Sequence, residues 1–258
     1  MPNQDYAGLL KAGSERLRPR ITNPNWLILR RRREIFRDWL RELRLRAPDV
    51  LDVGGRIQPY RELIASPRQY WAIDLRPTAL VSAVAAAERL PFADGSFDLV
   101  LCTQMIEYAP DPAAVIAEIH RVLRPQGTLL LSAPSIFPRD SEQDRWRLFP
   151  AALTQLLCAF SAVQITPECG SVAGVMRTLA VFIHMAARYR AVRFVVGCTI
   201  IPLLNSLGAI CDRFGARDGS FTVNYSVQAT KVPEKRTGTD EESTHCERSM
   251  HRNLHLSG

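Results

Sequence analysis

Apolar residues along this chain follow two rhythms. Over Trp26 to Arg46 they recur at Leu29, Ile35, Phe36, Trp39, Leu40 and Leu43, at spacings of three, four and seven. That spacing predicts an amphipathic helix. The remaining face carries Arg30, Arg31, Arg32, Arg33, Arg37, Arg41 and Arg44, and Pro48 is the expected stop. Beyond Pro48 short apolar runs alternate with helical stripes. Val50–Val53, Tyr70–Asp74, Leu80–Ala87, Phe97–Cys102, Thr128–Ala133, Ala162–Thr166 and Phe221–Lys231 read as strands. Tyr60–Ser66, the stripe Val115, Ile116, Ile119, Val122 and Leu123, and Ala151–Phe160 read as helices between them. Asp111 and Pro112 open the second of these and Gly127 follows it as a stop. Strands alternating with helices imply an α/β domain built on an open sheet.

Two segments break the alternation. Residues 1–25 are polar, with Pro19 and Pro24, and read as an arm; with the helix after it this makes a basic segment over 1–48. Residues 171–217 carry two apolar stretches, Val175–Ala187 and Phe194–Ile210. A spanning helix needs about 20 apolar residues, and Pro202, Asn205 and Ser206 interrupt the second stretch. A lid or dimer surface, an interfacial membrane contact and a span are the three readings, in that order. The main domain is thus expected over 49–231 with a helical insert at 171–217, and the polar tail 232–258 is expected to be disordered.

Charge is uneven. Residues 1–48 hold twelve Lys or Arg against five Asp or Glu, which equals the whole chain's net charge of +7. A basic helix can meet phosphate or anionic lipid, or can simply be a solvated face. The body of the protein is neutral, so no nucleic-acid partner is expected. Six cysteines without a CxxC pair argue against a zinc site or a disulfide framework and for a reducing compartment, so a cytoplasmic location is expected, with membrane association through 26–46 or 175–210 as its variant. Three lysines against thirty arginines suggest a GC-rich bacterial genome.

The candidate chemistry begins at Val50-Leu51-Asp52-Val53-Gly54-Gly55-Arg56, an apolar run ending in an acid and two glycines. Glycines at the end of a first strand let the backbone approach a nucleotide-type ligand, although two glycines also make an ordinary tight turn. Asp74 ends the second strand about 20 residues on, where an acid accepts hydrogen bonds from a ribose. The run Glu88-Arg89-Leu90-Pro91-Phe92, then Asp94-Gly95-Ser96-Phe97-Asp98, Glu107-Tyr108-Ala109-Pro110-Asp111-Pro112 and Leu123-Arg124-Pro125-Gln126-Gly127 follows in order. In these motifs residues 48–165 resemble the class I S-adenosylmethionine-dependent methyltransferases, in the type 11-like branch. The resemblance implies a Rossmann-like seven-stranded, mostly parallel sheet with helices on both faces, an antiparallel last strand and a helical insert before it.

The resemblance also implies roles. S-adenosyl-L-methionine would be held by Asp52, Gly54, Gly55, Asp74, Leu75, Ala87, Leu90 and Gln104. Glu107 and Tyr108 face the transfer site as weak catalytic candidates, and Asp144, Arg145 and Trp146 are candidate acceptor contacts, with Trp146 equally readable as a hydrophobic plug. Two departures stand out: Arg56 and Gln58 occupy the places of the second and third loop glycines, and Ala86 replaces an acid that would bond the adenine amine. His120 reads as a surface residue and His184 as a core or lid residue. The expected function is methyl transfer to a small molecule, a sugar or a lipid-linked glycan, by a chain that also offers a homodimer surface. The alternative is a degenerate methyltransferase fold serving as a binding or scaffold protein at a membrane surface.

Overall fold

The computed structural model describes residues 6–139, 141–214 and 220–232. Tyr6–Leu17 forms a helix, α1, where the sequence reads as an irregular arm. Trp26–Leu43 is α2. It ends at Arg44, which takes a left-handed backbone (φ 46), so the stop precedes Pro48. Between the two, Asn205 Nδ2 donates to the carbonyls of Ile21 and Asn23 and holds the connection down.

Seven strands follow: β1 Asp49–Val53, β2 Gln69–Asp74, β3 Ala83–Val84, β4 Phe97–Thr103, β5 Leu123–Pro134, β6 Ser161–Pro167 and β7 Asn224–Thr230. They form one sheet in the order β3-β2-β1-β4-β5-β7-β6. Pairs β1–β2, β1–β4, β2–β3 and β4–β5 are parallel, while β7 runs antiparallel to both β5 and β6. The Rossmann-like sheet with an antiparallel last strand is therefore present. The helix expected over Tyr60–Ser66 is a single tight turn, Arg61–Leu63. Helix α3, Pro112–Val122, is capped as expected by Asp111, whose side chain accepts from the Ala113 and Ala114 N–H groups. It stops at Val122, five residues short of Gly127, because Leu123 already pairs with Phe97 as the start of β5. Helix α4 is shorter than expected, Pro150–Leu156.

Alternation along the strands divides the core. Leu51, Val53, Val100, Cys102, Leu129, Leu131 and Val227 face α3 and α4, together with Val115, Ile119 and Leu153. Val50, Leu99, Leu101 and Leu130 face the other side, against Leu17 of α1 and Ile35, Phe36 and Trp39 of α2. Helices thus cover both faces.

The insert folds as α5 Ser171–Ala186, α6 Arg190–Cys198 and α7 Ile200–Phe214. Helices α5 and α7 pack closely, and Gly208 on α7 sits where a Cβ would stand 2.7 Å from Leu27 of α2. The outer face stays apolar, with Phe182, Met185, Phe194, Leu203 and Phe214 all exposed. Within the 25 residues Arg190–Phe214, shared between α6 and α7, an 18-residue window reaches a mean hydropathy of 2.0, long and apolar enough to cross a membrane by length and composition alone. Among the described residues, Cys102, Cys169, Cys198 and Cys211 are free thiols. The polar tail from residue 233 lies outside the described residues.

Candidate active site

A cavity of about 930 Å³ runs along the C-terminal edge of the parallel strands. It lies where strand order reverses, with β2 on one side of β1 and β4 on the other, the usual ligand position of open α/β sheets. Helix α1 roofs it with Ala12, Glu15 and Arg16.

The glycine loop forms its floor. Gly54 has φ +79 and lines the cavity, and a Cβ there would stand 2.7 Å from Met105. The Gly54 and Gly55 N–H groups donate to the Ile73 carbonyl at 2.9 and 3.1 Å, folding the loop back on β2. A Cβ on Gly55 would meet Asp52 Cγ at 2.8 Å and Ala72 Cβ at 2.9 Å, so no side chain fits. Asp52 lies beneath this loop, 2% exposed and off the cavity wall. Tyr70 Oη donates to its Oδ2 at 2.7 Å. Burial pushes its carboxyl up to about 7, against the Tyr70 hydrogen bond and helped by the Asp74 charge. Asp52 therefore supports the loop from below, and Gly55 lies outside the cavity lining.

The two lost glycines are accommodated separately. Arg56 is exposed and sits at the cavity rim, its N–H donating to Gly54 O at 2.9 Å. Gln58 adopts φ 44 itself, and its amide turns away to the Leu80 carbonyl. Neither side chain fills the loop.

On the β2–β3 side, Asp74 lines the cavity, with Oδ1 accepting from the Arg76 N–H at 2.8 Å. Leu75 lines it too and is 70% exposed, an apolar surface beside Ala85 and Ala87. Glu88 projects a buried Oε1 that has no hydrogen-bond partner among the described residues. Sequence reasoning looked for that acid at position 86, but Ala86 is exposed outside the cavity and Glu88 stands inside it. Leu90 lies in the core beneath, 4% exposed, and does not reach the cavity.

Beyond β4, Gln104 takes φ 51, and its Nε2 is buried without a partner among the described residues. Glu107 is 3% exposed, with Oε2 likewise unpartnered. Burial pushes its carboxyl up to about 7, opposed by a backbone hydrogen bond and by the Arg32 and Arg16 charges. Tyr108 stands beside it on the cavity wall. Asp144 lines the cavity but is bound by Arg147, Oδ2 to Nη2 at 2.6 Å. Arg145 and Trp146 lie off the cavity wall and are exposed; both backbone N–H groups donate to the Glu107 carbonyl, and the Trp146 indole donates to Ala109 O at 2.8 Å. They brace the Glu107 turn.

The far wall comes from α2 and α5 and was not foreseen. Arg32 is fully buried and binds Glu168 through Nε and Nη2 at 2.7 and 2.8 Å, with Ser226 Oγ donating to the same carboxylate. Arg177 is fully buried too, donating to Asn25 Oδ1 at 3.1 and 2.6 Å, with its guanidinium 4.3 Å above the Phe137 ring. A signal existed for Arg32: it stands three residues from both Leu29 and Ile35, on the apolar side of α2. No group of metal-ligand residues occurs among the described residues.

A family model described as a methyltransferase domain matches residues 51–131. The ubiquinone biosynthesis O-methyltransferase of Pseudomonas paraeruginosa is 40% identical over 68 residues, 26% of this chain and 27% of that one. A malonyl-[acyl-carrier protein] O-methyltransferase of Coxiella burnetii is 33% identical over 98 residues, 35% of each chain. The matched part thus spans roughly a quarter to a third of these relatives' length. Among solved structures, the 1,6-didemethyltoxoflavin-N1-methyltransferase of Burkholderia thailandensis is 17% identical, covering 89% of this chain and 90% of that one, at a TM-score of 0.48. Residues 51–131 are thus similar to the methyltransferase-domain family, of the class I S-adenosylmethionine-dependent kind.

Proposed function

We propose that this chain binds S-adenosyl-L-methionine and transfers its methyl group to a small-molecule acceptor. One observation carries the reading: the cavity at the strand-order switch is lined by a bare glycine backbone at Gly54 and by buried polar atoms without partners, Glu88 Oε1, Gln104 Nε2 and Glu107 Oε2. Buried polar groups are rarely left unpaired, and a polar ligand would pair these. The residues fit the cofactor in chain order. Gly54 exposes backbone to the methionine portion, Asp74 offers its second oxygen to the ribose, Leu75 and Ala87 flank the adenine, and Glu88 accepts from the adenine amine.

The cofactor supplies an electrophilic methyl, which leaves sulfur for a nucleophilic atom of the acceptor. The protein's own part is to position the acceptor, exclude water and take the acceptor's proton. Glu107 is the candidate base. The residue lines the cavity, its Oε2 has no hydrogen-bond partner among the described residues, and a carboxyl pushed up to about 7 suits proton transfer.

The scaffold alternative drew on Arg56 and Ala86. With Arg56 exposed at the rim and Glu88 inside the cavity, the catalytic reading is favoured. Calorimetry with S-adenosylmethionine tests it: saturable binding is expected, and no heat at millimolar cofactor would sink it. For the finer acceptor class, a sugar or lipid-linked glycan, the support is the exposed apolar face of α5–α7, which suits a peripheral membrane contact or a homodimer. Of the two proposed membrane segments, 175–210 is favoured over 26–46, because the apolar stripe of α2 is buried. Flotation with anionic liposomes and gel filtration separate these outcomes.

A further inference from the structure

We propose that the end of the cavity walled by α2 and α5 is an anion subsite, in which Arg177, beside Arg32, receives a carboxylate or phosphate group of the methyl acceptor. This rests on the methyltransferase reading and names the acceptor's chemistry.

Both arginines are fully buried and both line the cavity. The Nη1 of Arg177 has no hydrogen-bond partner among the described residues, whereas Arg32 also lies within reach of the Tyr60 hydroxyl. Arg32 is neutralised by Glu168, but the side-chain acceptor of Arg177 is the amide of Asn25, which carries no charge. A buried guanidinium without a counter-charge is costly, and an aliphatic side chain would fill the same wall without that cost. The other charged groups of this end do not supply the missing anion. Asp144 is held by Arg147, Glu168, whose charge reaches Arg177, is bound by Arg32, and Arg16 adds a further cation from the roof. Burial accordingly pushes Arg177 down to about 10, with Arg32 contributing.

Geometry separates this end from the nucleoside end. Asp74 and Glu88 follow β2 and β3, whereas Phe137 follows β5 and Arg177 lies between β6 and β7, across β1 and β4 in the sheet. The planar guanidinium fork suits a carboxylate or phosphate, which presents two oxygens at once. The Arg177 Nη1 is closed to solvent, so the anion engages it as the Phe137 ring, stacked on Arg177, moves aside.

The test is a titration of the full chain, with and without S-adenosylhomocysteine, against inorganic phosphate and against acetate, with chloride at matched ionic strength as the reference. Saturable binding of one of the two anions is expected, and which one binds distinguishes phosphate from carboxylate. Arg177→Met should weaken that binding at least tenfold while S-adenosylhomocysteine affinity stays unchanged. Asn25→Asp, which gives Arg177 an internal carboxylate, should do the same with Arg177 still in place. Chloride-like binding of both anions, or undiminished binding in both variants, overturns the proposal. So does a parallel loss of S-adenosylhomocysteine affinity in Arg177→Met, which would assign the arginine to the cofactor. If the chain takes no S-adenosylhomocysteine, the methyltransferase reading fails, and the titration of the unloaded chain still decides the subsite.

Discussion

Gly13 of α1 stands against the carbonyl of Ile57, so closely that a Cβ on Gly13 would lie 2.2 Å from that oxygen. The N-terminal helix is therefore seated directly on the backbone of the glycine loop, and this contact brings Ala12, Glu15 and Arg16 over the cavity. Alanine is the better helix former by about 1 kcal/mol, so Gly13→Ala leaves α1 itself intact and lifts it off the loop. We expect cofactor affinity to fall roughly tenfold, a change of about 1.4 kcal/mol, as read by calorimetry. Unchanged affinity would show that α1 does not close the site.

Asp74 and Glu88 are assigned to the nucleoside. Charge-assisted hydrogen bonds contribute about 1.5–3 kcal/mol, so Asp74→Ala should weaken S-adenosylmethionine binding by roughly 10- to 100-fold. Glu88→Gln keeps an acceptor oxygen and should cost less. If Asp74→Ala binds the cofactor as the parent does, the ribose assignment is wrong.

Glu107 must be ionised to accept a proton, and burial raises its carboxyl to about 7. The methylation rate of an oxygen or nitrogen acceptor should therefore rise with pH and level off above about 7. Glu107→Gln should lower kcat by roughly 10²–10⁴ with the cofactor dissociation constant unchanged. A flat pH profile in the parent enzyme would remove Glu107 from the chemistry.

Asp52 also titrates at about 7, from an ordinary value of 3.8, because it is buried. Between those two values the folded chain holds a proton that the unfolded chain has released, so this group makes stability fall as pH rises from about 4 to about 7. Above that window the penalty is complete. Asp52→Asn keeps an acceptor for Tyr70 Oη and should raise unfolding stability at pH 8 by up to roughly 4 kcal/mol, with little change at pH 4. Urea titrations at the two pH values measure this, and an equal effect at both contradicts it.

The Arg32–Glu168 pair, with both side chains fully buried, joins α2 to the segment that follows β6. Glu168→Gln strands the guanidinium and should destabilise by roughly 3–5 kcal/mol. The double variant Arg32→Met, Glu168→Met should recover most of that loss. If the double variant is as unstable as the single one, the ion pair is not the source of the effect.

Much of this molecule was legible from local pattern. Strand positions followed from short apolar runs, because a strand covered on both faces must be apolar throughout. The α3 start was readable because Asp111 caps it with its own side chain. The Asp74 position and the Gly54 turn could be placed because both depend on residues adjacent in sequence. What failed locally was continuous with that. Helix α1 has a weak apolar stripe, since its buried contacts are Gly13 and Leu17, and a glycine sends no helical signal.

The sequence by itself determined the sheet, helices α2 and α3 and the chain positions that meet at the strand-order switch, because hydrophobic period and turn chemistry are properties of neighbouring residues. The tertiary structure decided which of those positions face the cavity. It put Asp52 and Leu90 underneath, turned Arg56 to the rim, and set Glu88 in the cavity wall with Ala86 outside it. It also carried Arg32 and Arg177, 145 residues apart in the chain, into one wall. A guanidinium on a helix reads as solvated until something distant buries it, and here Glu168, Asn25 and Phe137 do so. Those contacts depend on how α2 and α5 pack across the sheet, which no local window of the sequence contains.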